Sequence, residues 1–133
     1  MAKFLSQEWL DVTRKMADGQ PERMGASARL QYVLTAAPGG GEIRYYWVIV
    51  DGKLLESGLG DLDDVEITLT LSHADGTLIQ KGELDSNAAF MQGRVKVTGN
   101  TPKLMALLPI TQSPEYKQLQ KEIHEITEYE EQA

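Results

Sequence analysis

The chain contains no cysteine. Disulfide staples, thiolate nucleophiles and thiolate metal ligands are therefore excluded, and a reducing compartment is compatible with the composition. Histidine is scarce, with two in 133 residues, His73 and His124. Neither has a second histidine or an acidic motif at metal-ligand spacing, so no metal site is expected and each reads as a surface or capping side chain. Basic residues number 13 against 20 acidic ones, for a net charge of −7. Phosphate backbones are held by clustered Lys and Arg. No such cluster is visible, so no nucleic acid is expected as a partner, and stable docking on anionic lipid is opposed as well. Long apolar runs are also missing. The longest, Tyr45–Val50, falls far short of the roughly 20 residues that span a bilayer. Met1–Leu10 carries Gln7 and Glu8 where a signal peptide needs apolar residues. A soluble, cytoplasmic chain without stable membrane insertion is expected, and no cofactor is implied.

Catalytic and ion-binding patterns are equally thin. Asp61, Asp63 and Asp64 lack the alternation, central glycine and terminal glutamate of a calcium loop. Gly39, Gly40 and Gly41 lack the Gly-Lys-Ser/Thr ending of a phosphate loop and join two strands rather than opening a helix. An enzyme acting on a hydrophobic substrate through Tyr or Asp would need a paired acid and base. No such pair is visible, and no catalytic residue is assigned.

What the chain does have is periodicity. Its length suits one domain, 1–133. Phe4, Leu5, Trp9, Val12 and Met16 recur at helical spacing and predict an amphipathic helix over 4–17. Residues 28–36 alternate as a strand. Pro38-Gly39-Gly40-Gly41 breaks it, and 42–50 follows as a β-branched and aromatic run, apolar on both faces. Asp51-Gly52 is the favoured two-residue hairpin turn, with 53–57 returning. In 65–71, Val65, Ile67, Leu69 and Leu71 face one way and Glu66, Thr68 and Thr70 the other.

Helical signals come next. Ser72 begins a short helix that Gly82 closes, although Gly76 inside it is a poor helix former. A second short helix covers Ser86 to Gln92, ended by Gly93. A fifth strand spans 94–98. Thr101-Pro102 opens a helix that Pro109 stops near Leu108, and Ser113-Pro114 opens the last helix, 114–130. That helix carries an apolar seam of Tyr116, Leu119, Ile123 and Ile126. The acidic end, Glu128 to Glu131, reads as solvated. The expected fold class is α+β: a five-stranded sheet, made of a three-strand meander and two further strands, covered on one face by helices. The sheet and short helices occupy 28–108.

The segment Ala88–Met105 is the most specific in the chain. It reads Phe90-Met91-Gln92-Gly93, a short strand Arg94 to Val97, the turn Gly99-Asn100, then a helix with Leu104 and Met105. This resembles the signature region of sterol carrier protein 2 (SCP2)-like lipid-binding domains. Gly82, Glu83, Leu84 and Asp85 ahead of it match the approach to that region, and the meander matches in layout. Met91 stands where the family often has a larger aromatic. Residues 73–81 are more polar than a helix lining a greasy cavity would prefer.

The resemblance implies a non-enzymatic domain that binds, and transfers or stores, a small hydrophobic ligand such as a fatty acid or sterol between sheet and helices. Phe90, Met91, Gln92, Leu104, Met105 and Leu108 are the implied ligand-binding residues. Flexible Met suits an adaptable wall, and Gln92 would meet a ligand's polar end. Tyr116, Leu119 and Ile123 are the candidate lid. Burying about 12 methylenes at about 0.8 kcal/mol each gives roughly 10 kcal/mol before ordering costs, enough for micromolar binding. The alternative is an interaction module with a filled core that forms a homodimer through the C-terminal helix.

Overall fold

The computed structural model describes residues 2–129, less the side chain of Thr111. Its elements are strand Ala2–Lys3 (β1), helix Gln7–Met16 (α1) with a 3-10 turn at Ala17–Gly19, and strands Ala28–Thr35 (β2), Ile43–Val50 (β3), Lys53–Leu59 (β4) and Ile67–Ser72 (β5). Helices His73–Gln80 (α2) and Ser86–Met91 (α3), strand Lys96–Gly99 (β6), helices Thr101–Thr111 (α4) and Pro114–Glu125 (α5), and strand Thr127–Glu128 (β7) complete the order. The protein is α+β, as its periodicities predict.

The main sheet is five-stranded and mixed, in the order β4-β3-β2-β5-β6. The meander β2-β3-β4 is antiparallel, β5 runs parallel to β2, and β6 returns antiparallel to β5. Asp51 and Gly52 both have positive φ, 49° and 81°, which is why an Asp-Gly pair makes this two-residue turn. In β5 the alternation survives folding: Ile67, Leu69 and Leu71 are buried on one face. On the opposite face, buried Gln31 ties down the loop after β4. Its amide donates to the carbonyls of Tyr45 and Gly60 and accepts from the N–H of Leu62.

Several boundaries differ from the sequence reading. The first helix starts at Gln7 rather than residue 4. Leu5 takes φ 63°, outside the helical region, and the Ser6 hydroxyl accepts from Trp9 N–H as the N-cap. Phe4 and Leu5 have helical spacing, yet β1 before them is a strand whose partner lies at the other end of the chain. The fourth strand of the main sheet begins at Ile67, leaving Val65 exposed. The second short helix ends at Met91, and the strand expected over 94–98 covers Lys96–Gly99 instead.

Pro109 does not stop α4, which continues to Thr111. Proline forfeits its own N–H bond and crowds the carbonyl four residues back, but it stands in the last turn, and the apolar positions Leu107 and Ile110 still meet the core. The last helix ends at Glu125, five residues earlier than expected. There Thr127–Glu128 turns into β7, pairing in parallel with β1. Of the acidic tail, Glu130 and Glu131 lie outside the described residues.

Gly99 illustrates the close fit at the sheet's edge. It has φ 113°, and a Cβ there would run into the Glu66 carbonyl oxygen, which also accepts from Asn100 N–H at 2.8 Å. Only glycine tolerates both the dihedral and the approach. Gly99→Ala is expected to lose about 1–3 kcal/mol of stability in urea unfolding. A loss below about 0.5 kcal/mol would show that the turn relaxes freely.

Candidate functional site

The interior face of the sheet presents alternate residues of each strand: Leu30, Tyr32 and Leu34 from β2, Tyr45, Trp47 and Ile49 from β3, Leu69 and Leu71 from β5. The register places Tyr32 opposite Tyr45 and Leu30 opposite Trp47. This settles the facing of 43–50, which has apolar side chains on both sides. Helices α2, α3, α4 and α5 roof the sheet without filling the space beneath them. A void of about 190 Å³ remains, and its lining includes no Asp, Glu, Lys, Arg or His. Gly76, the poor helix former in α2, has a local reason to be there. A Cβ at that position would stand 2.8 Å from Leu34 Cδ2, so the glycine lets α2 settle against β2.

A second, smaller void of about 90 Å³ lies beside it under α1 and α5, lined by Trp9, Thr13, Leu54, Leu119 and Ile123 among others. Trp47 and Ile49 on the sheet, and Gln80, Tyr116 and Gln120 above it, border both lobes. Gln80, Tyr116 and Gln120 also border a third space, a surface groove of about 390 Å³ rimmed by Lys81, Lys117 and Lys121. These three residues therefore stand at the junction of interior and surface. Gln120 is fixed there by donating to the Ile79 carbonyl at 2.7 Å.

The aromatic wall is tightly organised. Tyr32 and Tyr45 stack 4.7 Å apart with rings 2° from parallel, and Trp47 meets Tyr32 edge-on at 5.1 Å. Burial pushes the phenols of Tyr32, Tyr45 and Tyr116 above their ordinary value, so all three are protonated at neutral pH. Among the described residues no group of three or more His, Cys, Asp or Glu could hold a metal ion. No helix among them is long and apolar enough to cross a membrane.

The expected site residues divide into two groups. Phe90, Leu104 and Leu108 line the larger lobe. Met91, Gln92 and Met105 do not line it. Met91 is 84% exposed and Met105 56%, while Gln92 is an exposed C-cap whose backbone N–H bonds to the Ala88 and Phe90 carbonyls. Helix phase is the reason: Met91 follows Phe90 and Met105 follows Leu104, so each is rotated about 100° from a lining neighbour. Tyr116, Leu119 and Ile123 all line the smaller lobe. The seam thought available to a second copy is thus turned inward.

Tyr32, Tyr45, Trp47, Gln80 and Gln120 were absent from the expected set. Tyr32 alternates with Leu30 and Leu34, and pairing β2 with β3 across the glycine loop would have placed Tyr45 beside it. Gln80 and Gln120 carry no such signal, being polar residues on helices.

Residues 8–112 match the model of the SCP-2 sterol transfer family. The chain belongs to that family. No curated protein matches it in sequence. Among solved structures, a crystal structure of sterol carrier protein 2 is similar with TM-score 0.65 at 14% identity, covering 92% of this chain and 95% of that one. A palmitated sterol carrier protein 2-like 2 from Aedes aegypti gives TM-score 0.60 at 16% identity, covering 85% and 96%. A sec-alkylsulfatase from Pseudomonas gives TM-score 0.50 at 20% identity, covering 74% of this chain and 15% of that one. At these identities the likeness is one of fold. Family and fold together support lipid binding or transfer as the SCP-2 chain's general function.

Proposed function

We propose that the chain is a non-enzymatic carrier that binds an apolar lipid, fatty acyl or sterol-like, in the two-lobed void for transfer or storage. The observation that carries this reading is the unfilled, uncharged space between sheet and helices. At about 190 Å³ the larger lobe exceeds the roughly 150 Å³ cavity that takes up benzene, yet lies below the roughly 300 Å³ at which drug-sized sites begin. A long acyl chain therefore passes the junction into the smaller lobe or displaces a roof helix. Helix α5 is the natural cover, since Tyr116, Leu119 and Ile123 close the smaller lobe from above. The palmitate named for the Aedes relative is an acyl chain of the class proposed here.

Native mass spectrometry of protein purified without detergent tests the proposal. The expected spectrum shows monomer carrying one lipid mass, lost on organic extraction and restored by added palmitate. Protein that is lipid-free as isolated and also refuses palmitate would overturn the carrier reading. A lipid-free dimer would favour the interaction module, although the inward seam of α5 leaves mainly Lys117, Gln118, Lys121, Glu122 and Glu125 facing outward.

A further inference from the structure

The surface groove beside the void differs from it in kind. At about 390 Å³ it is the largest of the three spaces and falls within the roughly 300–1,000 Å³ of small-molecule sites. One wall is the end of α2 and the loop after it, which carries Lys81. The other is α5, which carries Lys117 and Lys121. These two lie four residues apart on one helix face, a spacing at which like charges oppose a helix. Among the described residues neither ammonium group has an ion pair or a hydrogen bond. Lys81 lies over the Tyr129 ring, 4.9 Å from its centroid.

Asp85 is the only acidic residue in the described lining. Its carboxylate caps α3: one oxygen accepts from the Ala88 N–H at 3.0 Å and the other from the Gln112 amide at 3.1 Å. It therefore offsets one of the three lysines at most. A chain of net charge −7 thus carries a cleft with an excess of positive charge. Such clefts concentrate counter-ions. Lysine is a compact point charge suited to phosphate, whereas a planar carboxylate favours the fork of arginine, which the described lining lacks.

We propose that the groove is a binding site for a phosphate group, held by Lys81, Lys117 and Lys121. The bearer is a free phosphate compound, or the head of a lipid whose chain enters the void past Gln80, Tyr116 and Gln120, which border both spaces. Only the second source rests on the carrier reading above. The larger lobe is no alternative place for the phosphate, since its lining has no cationic side chain to offset lost hydration.

Calorimetric titration with sodium pyrophosphate tests the site, in about 0.1 M chloride, where charges more than about 10 Å away are largely screened. One pyrophosphate per chain is expected, with affinity at least about tenfold lower in the double variant Lys117→Gln/Lys121→Gln. Both side chains are exposed, so that variant melts as the parent does. Lys81→Gln, on the other wall, weakens binding about threefold or more and serves if the double variant folds poorly. Lys15→Gln/Lys53→Gln changes the net charge equally outside the groove and is expected to lose less than about twofold. Equal losses in the two double variants overturn the site, as does a parent without saturable binding.

Dodecyl phosphate and palmitate separate the two sources. Displacement of dodecyl phosphate by pyrophosphate, with weaker binding in the groove variant, supports the site and makes the phosphate a lipid head. Dodecyl phosphate that binds alongside pyrophosphate, equally well in the variant, supports the site and assigns it to a free phosphate compound. A parent that takes palmitate but ignores pyrophosphate overturns the groove alone. A parent that takes pyrophosphate but refuses both palmitate and dodecyl phosphate supports the groove and overturns the carrier reading.

Discussion

Trp9→Ala is expected to lose about 3–5 kcal/mol, the range for deleting a buried aromatic side chain. For a chain of this length that corresponds to a melting temperature lower by roughly 10–20 °C. The reason lies in what Trp9 joins. It is 2% exposed in α1, packs edge-on against Phe4 at 5.1 Å, and borders the smaller lobe. Its indole N–H donates to the Thr127 hydroxyl at 2.8 Å, and that hydroxyl donates in turn to the Ile123 carbonyl. One side chain thus holds α1, the end of α5 and the β1–β7 pair together.

Trp9→Phe keeps most of the apolar area and removes the donor, so about 1–2 kcal/mol is expected. Urea unfolding of both variants checks the ranking. A Trp9→Ala loss below about 1 kcal/mol would mean that this corner collapses onto the vacancy instead of depending on the ring. The same contacts make a truncation before α5 a poor test of its covering role, since it would remove Thr127 along with the helix.

Leu108→Trp is expected to weaken binding of palmitate or a fluorescent fatty acid at least tenfold without unfolding the protein. Leu108 is half-buried on α4 and lines the larger lobe. A larger ring there takes up space that the ligand would otherwise use. Excluding two or three methylenes at about 0.8 kcal/mol each removes about 2 kcal/mol, or a factor of roughly 15 to 50 in affinity. The void's own lining lacks contact partners on one side, so filling part of it leaves stability unchanged or slightly higher. A displacement titration alongside a thermal melt separates the two effects. Unchanged affinity in a well-folded variant would place the ligand outside this lobe.

The β-elements were readable locally because their signals are local. Alternation in Ile67–Leu71 has period two whatever surrounds it, and Asp51-Gly52 suits its turn through two positive φ values. The helix starts at Ser72 and Ser113 were readable in the same way, because each cap is a hydrogen bond spanning three residues, whereas the caps at Ser6 and Asn100 were passed over. Where the reading departed from the structure, distant partners had decided. Nothing near Phe4 shows that Ala2–Lys3 pairs with Thr127–Glu128. Nothing near Pro109 shows that the core contacts of Leu107 and Ile110 carry α4 past the proline.

The candidate site divides along the same line. Phe90, Leu104 and Leu108 could be named from the segment that resembles the SCP-2 family. Their neighbours Met91 and Met105 could not be excluded without the helix phase against the sheet. Composition and periodicity by themselves determined an α+β chain without thiol chemistry or a membrane-spanning helix, and its apolar positions. Tertiary structure alone decided which face of Tyr45–Val50 looks inward, that the interior stays partly empty, and that Tyr32, Tyr45, Trp47 and Tyr116 meet across it. Periodicity records which side of an element avoids water. Whether opposing sides then touch or leave space depends on how high the helices stand above the sheet, which is set by contacts between residues far apart in the chain.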